Sequence, residues 1–149
     1  MIDVRLMTEA DIDAWELLQT ELYGHEENAQ DGLTHRDVED LSGDSKDAIF
    51  LAFENGNPIG FVQLSLRDQV GGCLGSPVAY VDGLFVKPKD RGKGAGVELI
   101  EQAQQWATDH SCTELATDAE IHDLAAQDFH RAMGFEETNR VVQFRKTVS

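Results

Sequence analysis

The run VDGLFVKPKDRGKGAGVELIEQAQQWA, Val81 to Ala107, constrains this chain more than any other. An apolar strand-like stretch enters a basic, glycine-rich turn, and the turn opens into an amphipathic helix. Pro88 cannot donate to a ladder and biases Lys87 toward extended geometry, so the strand is expected to stop near Val86. Gly92, Gly94 and Gly96 lack a Cβ and let the backbone turn tightly with its N–H groups close to a ligand. The helix that follows carries Val97, Leu99, Ile100, Ala103 and Trp106 at amphipathic spacing. Its free N–H groups and positive dipole end would face an anion.

Charge strengthens the expectation. Acidic residues number 28 against 12 basic ones, a formal net charge of −16, yet Lys87, Lys89, Arg91 and Lys93 cluster in this one turn. Two common nucleotide loops are excluded. A Walker loop requires glycine where Lys87 stands, and the dinucleotide fingerprint requires glycine at Val97. A solvated glycine-rich turn is the plain alternative; the strand, Pro88, Arg91 and the helix in register favour a site for a phosphate-bearing cofactor.

The remaining pattern, Arg-x-x-Gly-x-Gly on Arg91, Gly94 and Gly96, resembles the pyrophosphate loop of the GCN5-related N-acetyltransferases, which bind acetyl-CoA. The segments SLRDQVGGCLGSPVAYVDGLFVKP (Ser65 to Pro88), LATDAE and FHRAMGFEETNRVVQFRK look like the short, single-domain aminoglycoside 6'-N-acetyltransferases, and the likeness covers essentially the whole chain. The resemblance implies transfer of acetyl from acetyl-CoA to the 6'-amino group of an aminoglycoside, a reaction of antibiotic resistance, in a ternary complex without a covalent enzyme intermediate. The alternative within the same fold is another amine acceptor, a polyamine or a protein amine. A non-catalytic binding module is the reading from a different class.

Carried onto this chain, the resemblance gives pantetheine the main chain of Leu84, Phe85 and Val86. It gives the pyrophosphate Arg91, Gly92, Lys93, Gly94, Ala95 and Gly96. Asp82 would hold the acceptor amine and act as its base directly or through water. Spacing puts Asp82 on the sheet face of Leu84, two residues on. Asp118 would bind ammonium groups of the substrate, though a helix N-cap is also open to it. Tyr23 and His25 would line the substrate cleft, with a core role open to the aromatic. His130 is either the acid that protonates the leaving thiolate or a satisfied helix histidine. Asp123 stands where the family has a cofactor-contacting asparagine. Gln69 and Asn139 depart from the family's aromatic and acidic residues.

At 149 residues the chain is expected to form a single domain over 1–149. The coarse reading is an α/β (α+β) chain in the order β-α-α-β-β-β-α-β-α-β, a mixed central sheet with helices on both faces. Its elements are a strand at Ile2 to Leu6, a helix from Thr8 to about Tyr23 turning Ile12, Trp15, Leu18 and Leu22 inward, and a short helix at Thr34 to Leu41. A hairpin turning at Asn55 to Asn57 and a strand at Val78 to Val86 lead into the central helix. A strand at Thr113 to Thr117, a helix at Ile121 to Met133 and a closing strand at Arg140 to Lys146 complete it. No signal peptide or membrane span is read, and Cys73 and Cys112 are too isolated for a disulfide framework or a metal site, so a cytoplasmic setting is expected. The acidity disfavours nucleic acid and anionic membranes and favours a cationic substrate. A homodimer is expected, with Val141 to Phe144 as an edge strand for pairing.

Overall fold

A computed structural model describes residues 1–23 and 45–149. The short helix expected at Thr34 to Leu41 lies outside them. Five strands form one sheet in chain order: β1 (Ile2–Leu6), β2 (Asp47–Glu54), β3 (Asn57–Arg67), β4 (Val78–Val86) and β5 (Leu115–Ala116). The first four are antiparallel, and β5 runs parallel to β4, so the sheet is mixed. Helix α1 (Ile12–Tyr23) covers one face. Helix α2 (Ala95–Asp109) covers the other, and α3 (Leu124–Ala132) follows β5.

Alternation along the strands builds two cores. Met7, Ile12, Trp15 and Leu18 pack with Ile49, Leu51, Phe61 and Phe85 on the α1 face. Ala48, Phe50, Val62, Leu64, Ala79 and Val81 pack with Leu99, Ile100, Ala103 and Trp106 on the α2 face. Leu99 and Ile100 are fully buried, each burial contributing about 1.5–3 kcal/mol. Val97, expected on the apolar stripe, is 40% exposed instead. The β2–β3 hairpin turns at Asn55 and Gly56, both at positive φ (51° and 82°), as a two-residue turn that follows the strand twist demands.

At the N-terminus of α1 the chain first makes a 3-10 turn, Glu9–Asp11. The Asp11 carboxylate accepts from the Thr8 N–H and hydroxyl, both at 2.9 Å, and from the Arg5 guanidinium at 2.6 and 3.0 Å. Arg5 thus holds the Asp11 carboxyl at a pKa of about 2.

The C-terminal third departs from the sequence reading. The strand at Thr113 to Thr117 shrinks to Leu115–Ala116, the helix at Ile121 to Met133 to Leu124–Ala132, and Arg140 to Lys146 forms no strand. A strand needs a neighbouring edge, and the two residues of β5 offer little of one. Val141, Val142 and Phe144 are left 74%, 78% and 92% exposed.

Candidate active site

Strand β4 carries one residue too many for its partner. Gln63 pairs with Gly83 and Leu64 with Val81, so Asp82 is the extra residue of a β-bulge. A bulge re-aims a side chain and reverses the alternation beyond it. Ala79 and Val81 therefore face α2 upstream of it, while Leu84 and Val86 do so downstream. The expectation that Asp82 and Leu84 share a sheet face fails for this reason. Asp82 lies instead with Tyr80 and Arg67.

The second edge of β4 opens at the same point. β5 pairs with Ala79 and Tyr80; past them, among the described residues, β4 meets no further strand on this side but the Thr117 hydroxyl, 3.4 Å from the Val81 carbonyl, and the Arg91 guanidinium at the Val86 carbonyl. Asp82 to Val86 consequently present an edge with no strand beside it, which is the form of site that takes an extended ligand as an added strand. Consistent with this, Asp82 ranks as exposed overall although its side chain is only 25% exposed.

The open edge leads through the turn Pro88–Asp90 into the glycine loop. Gly92 and Gly94 both have positive φ, 83° and 96°, and Gly94 is the N-cap of α2, so the loop's N–H groups and the helix N-terminus converge. Such a nest attracts an anion. Two of its basic side chains are already engaged. Arg91 donates from Nε to the Val86 carbonyl at 2.9 Å, leaving its terminal nitrogens for an anion. The Lys93 ammonium binds Glu54 at 3.1 Å and Asp90 at 3.2 Å, and both carboxylates raise its pKa. Lys93 thus ties the loop to the end of β2, with one ammonium N–H left over. Gly96 packs on Phe129 of α3, where a Cβ would stand 3.1 Å from the ring.

On the α1 face, side chains form a chain of contacts from Asp82 to Asp118. Arg67 donates to Asp82 Oδ1 at 2.8 Å, and its guanidinium stacks 3.5 Å over the Tyr80 ring. The buried Tyr80 donates its hydroxyl to Asp118. Burial and the Asp118 carboxylate push the Tyr80 phenol up to about 12, so it stays protonated. Asp47, across the sheet and exposed, has a raised pKa through partial desolvation and the charge of Asp82. Asp82 and Asp118, far apart in sequence, are thus linked through Arg67 and Tyr80.

The remaining sequence candidates fall out unevenly. Asp123 is the N-cap of α3, accepting from the Ala126 N–H at 3.0 Å, so the capping role weighed for Asp118 belongs to Asp123. His130 packs edge-on against Phe129 and Phe135, its buried Nδ1 has no partner among the described residues, and burial lowers its pKa. That environment favours a neutral, packed imidazole. Tyr23 ends α1, and His25 lies outside the described residues. Gln69 lines a cavity of about 350 Å³ formed by the loop to Ser76. Glu114 pins that loop through the Leu74 and Gly75 N–H groups.

Sequence reasoning did not single out Arg67, Tyr80 or Glu114. The signal for the first two was the hairpin register, since Ser65 opposes Tyr80 and places Arg67 diagonally across from it. Neither cysteine is poised for attack. Burial raises the thiol pKa of both, and the Glu114 carboxylate adds to the effect at Cys73. Among the described residues no His, Cys, Asp and Glu cluster could hold a metal ion, and no helix is long and apolar enough to cross a membrane.

Comparison with known proteins agrees with this geometry. Residues 11–135 match the acetyltransferase (GNAT) family. An aminoglycoside N(6')-acetyltransferase type 1 of Salmonella typhimurium is 37% identical over 147 residues, 97% of this chain and 99% of its own. One of Stenotrophomonas maltophilia is 39% identical, covering 95% and 91%. The aminoglycoside N-acetyltransferase AAC(6')-Iy, solved with the bisubstrate analog CoA-S-monomethyl-acetylneamine, superimposes with a TM-score of 0.87 at 36% identity over 99% of both chains.

Proposed function

The chain belongs to the acetyltransferase (GNAT) family, and we propose that it transfers the acetyl group of acetyl-CoA to the 6'-amino group of aminoglycosides. The observation that carries this reading is the meeting, at the Asp82 bulge, of an open strand edge leading to an anion nest and a carboxylate cluster suited to a polycation. Acetyl-CoA supplies the activated acyl thioester. The residues present fit it: the edge from Asp82 to Val86 takes an amide-bearing arm by main-chain hydrogen bonding, and Arg91 with the N–H groups from Gly92 to Gly96 takes a pyrophosphate.

The acceptor arrives as an ammonium and must lose a proton before its nitrogen lone pair can attack. Asp82 receives that ammonium and, directly or through water, its proton. An N–H of the open edge at Leu84 to Val86 stabilises the oxyanion that develops at the carbonyl. The amide forms as the carbon–sulfur bond breaks, and the thiolate takes up a proton from solvent water, matching the one the acceptor gave up. His130, its pKa lowered by burial against the opposing pull of Asp118 and Asp123, contributes by packing against Phe129 and Phe135 in this reading. Asp118, oriented by Tyr80, and Asp47 attract the acceptor's other ammonium groups.

The test is coupled thiol release with acetyl-CoA and kanamycin or tobramycin. Turnover with mass-mapped 6'-N-acetyl product is expected, and an analogue bearing a 6'-hydroxyl should be inert. Thiol release with spermidine or peptides and none with aminoglycosides would refute the reading.

The protein also works as a homodimer in this proposal, with Val141 to Phe144 pairing against a second copy. Support comes from the exposure of Val141, Val142 and Phe144 on an apolar segment with no strand neighbour among the described residues. Sedimentation should give a dimer, and Val142→Glu should give a monomer. A wild-type monomer at micromolar concentration would refute it.

A further inference from the structure

An acceptor that arrives as an ammonium must give up a proton in a site where most charges hold that proton on. Asp82 of β4, Asp47 of β2 and Asp118 beyond β5 all favour the protonated form. Tyr80, with its phenol pushed up to about 12, stays neutral. Arg67, at the end of β3, acts in the opposite sense. It donates to one oxygen of Asp82, Oδ1, at 2.8 Å, and no hydrogen bond to Oδ2 forms among the described residues. Its guanidinium lies 3.5 Å from the centroid of the buried Tyr80 ring, so the charge has a fixed place beside the oxygen left to the acceptor.

We propose that Arg67 drives the bound acceptor amine toward its neutral, attacking form by disfavouring the ammonium. The inference rests on the reading that Asp82 meets the acceptor amine. An ammonium held at Asp82 Oδ2 stands about 5–6 Å from the guanidinium, whereas the neutral amine in the same place feels no such repulsion. The repulsion falls on the reacting nitrogen of every acceptor alike, so it separates two protonation states and not two acceptors. Because the Arg67 side chain is 45% exposed, solvent screens it, and the effective dielectric lies between that of water and that of a protein site. Over that range the acceptor's pKa in the complex falls by about half a pH unit to two. One N–H bond of the ammonium breaks, its electron pair stays on nitrogen as the nucleophile, and the proton leaves to solvent by way of Asp82 or a water.

The experiment follows single-turnover acetylation of saturating kanamycin by protein loaded with acetyl-CoA, at constant ionic strength, in wild type, Arg67→Gln, Arg67→Met and Arg67→Lys. The pH profile of this step reports the groups that titrate in the complex. The uncharged variants should move its acid limb up by about one pH unit. They should also bind kanamycin more tightly below that limb, since the ammonium is no longer repelled. Arg67→Lys, which keeps the charge, should move the limb less than half as far. Melting temperature and CoA affinity are measured on each protein; a substitution that only disturbs the fold lowers the rate at every pH and leaves the limb in place. A limb that stays at its wild-type position in both Gln and Met variants, or a Lys variant that moves more than half as far as they do, overturns the role of Arg67. Wild-type protein inactive on kanamycin overturns the acceptor assignment itself, an outcome separable from the first.

Discussion

Replacing Gly94 by alanine separates the loop's backbone geometry from its side chains. Gly94 has φ 96° and ψ 2°, and a Cβ built on it meets nothing within 4 Å. The substitution therefore introduces no clash with neighbours; its entire effect is the strain of holding an L-residue in left-handed backbone, about 1–2 kcal/mol. If the loop keeps its shape, that strain appears as lost stability, a fall in Tm of about 3–8 °C for a domain of this size. Should φ relax instead, the N-terminus of α2 tilts and the anion nest opens, and the same energy appears as a roughly five- to thirtyfold loss of CoA affinity. Either way the two losses together should come to about 1–2 kcal/mol. Calorimetric titration with CoA and a thermal melt on the same sample measure both, and acceptor KM should stay near wild type. The reasoning is refuted if Gly94→Ala retains both Tm and CoA affinity. Gly96→Ala is the control: its neighbour is the edge of the Phe129 ring, which yields by a few tenths of an ångström, so the effect should be smaller.

Other consequences can be checked in parallel. Asp118→Ala should raise aminoglycoside KM about tenfold or more and leave CoA affinity unchanged; equal loss of both would mark the residue as structural. Asp123→Ala removes a helix cap and should lower stability by about 1 kcal/mol in urea unfolding without weakening CoA binding beyond twofold. Asp11→Asn should destabilise the protein by about 1–2 kcal/mol at pH 7. Because the folded-state pKa of Asp11 is depressed to about 2, its contribution is complete above the unfolded value near 4 and fades as pH falls toward 2. The difference between wild type and Asp11→Asn in denaturant titrations should accordingly close over that window. A difference that persists unchanged at pH 2 would contradict the ion-pair explanation.

The elements legible in the sequence were those defined by local chemistry. Pro88 and the glycines located the loop, Asn55 and Gly56 the hairpin, and the spacing of Ile12, Trp15 and Leu18 the buried side of α1. What stayed hidden depends on partners distant in the chain. The bulge at Asp82 comes from a count of residues on two strands at once, and period-two reasoning on β4 alone assigns Leu84 to the wrong face. The tie from the Lys93 ammonium to Glu54, 39 positions earlier, is likewise invisible along one stretch of chain. Asp118 and Asp123 are equal candidates for a cap by composition. Only the observed start of α3 separates them, and it frees Asp118 for Tyr80. Arg140 to Lys146 has the alternation of a strand, but alternation records a preference and not a neighbour.

The extra residue in β4 also bears on how such a site can change over time. Residues opposite one another in a ladder are bound together, since a change on one strand disturbs the side chain facing it. Asp82 has no opposite number, and the strand on either side of it is already in register with its own core. A different side chain there would leave the ladder and the two cores in place, so its cost would fall on the Arg67 contact and on the acceptor amine rather than on the fold.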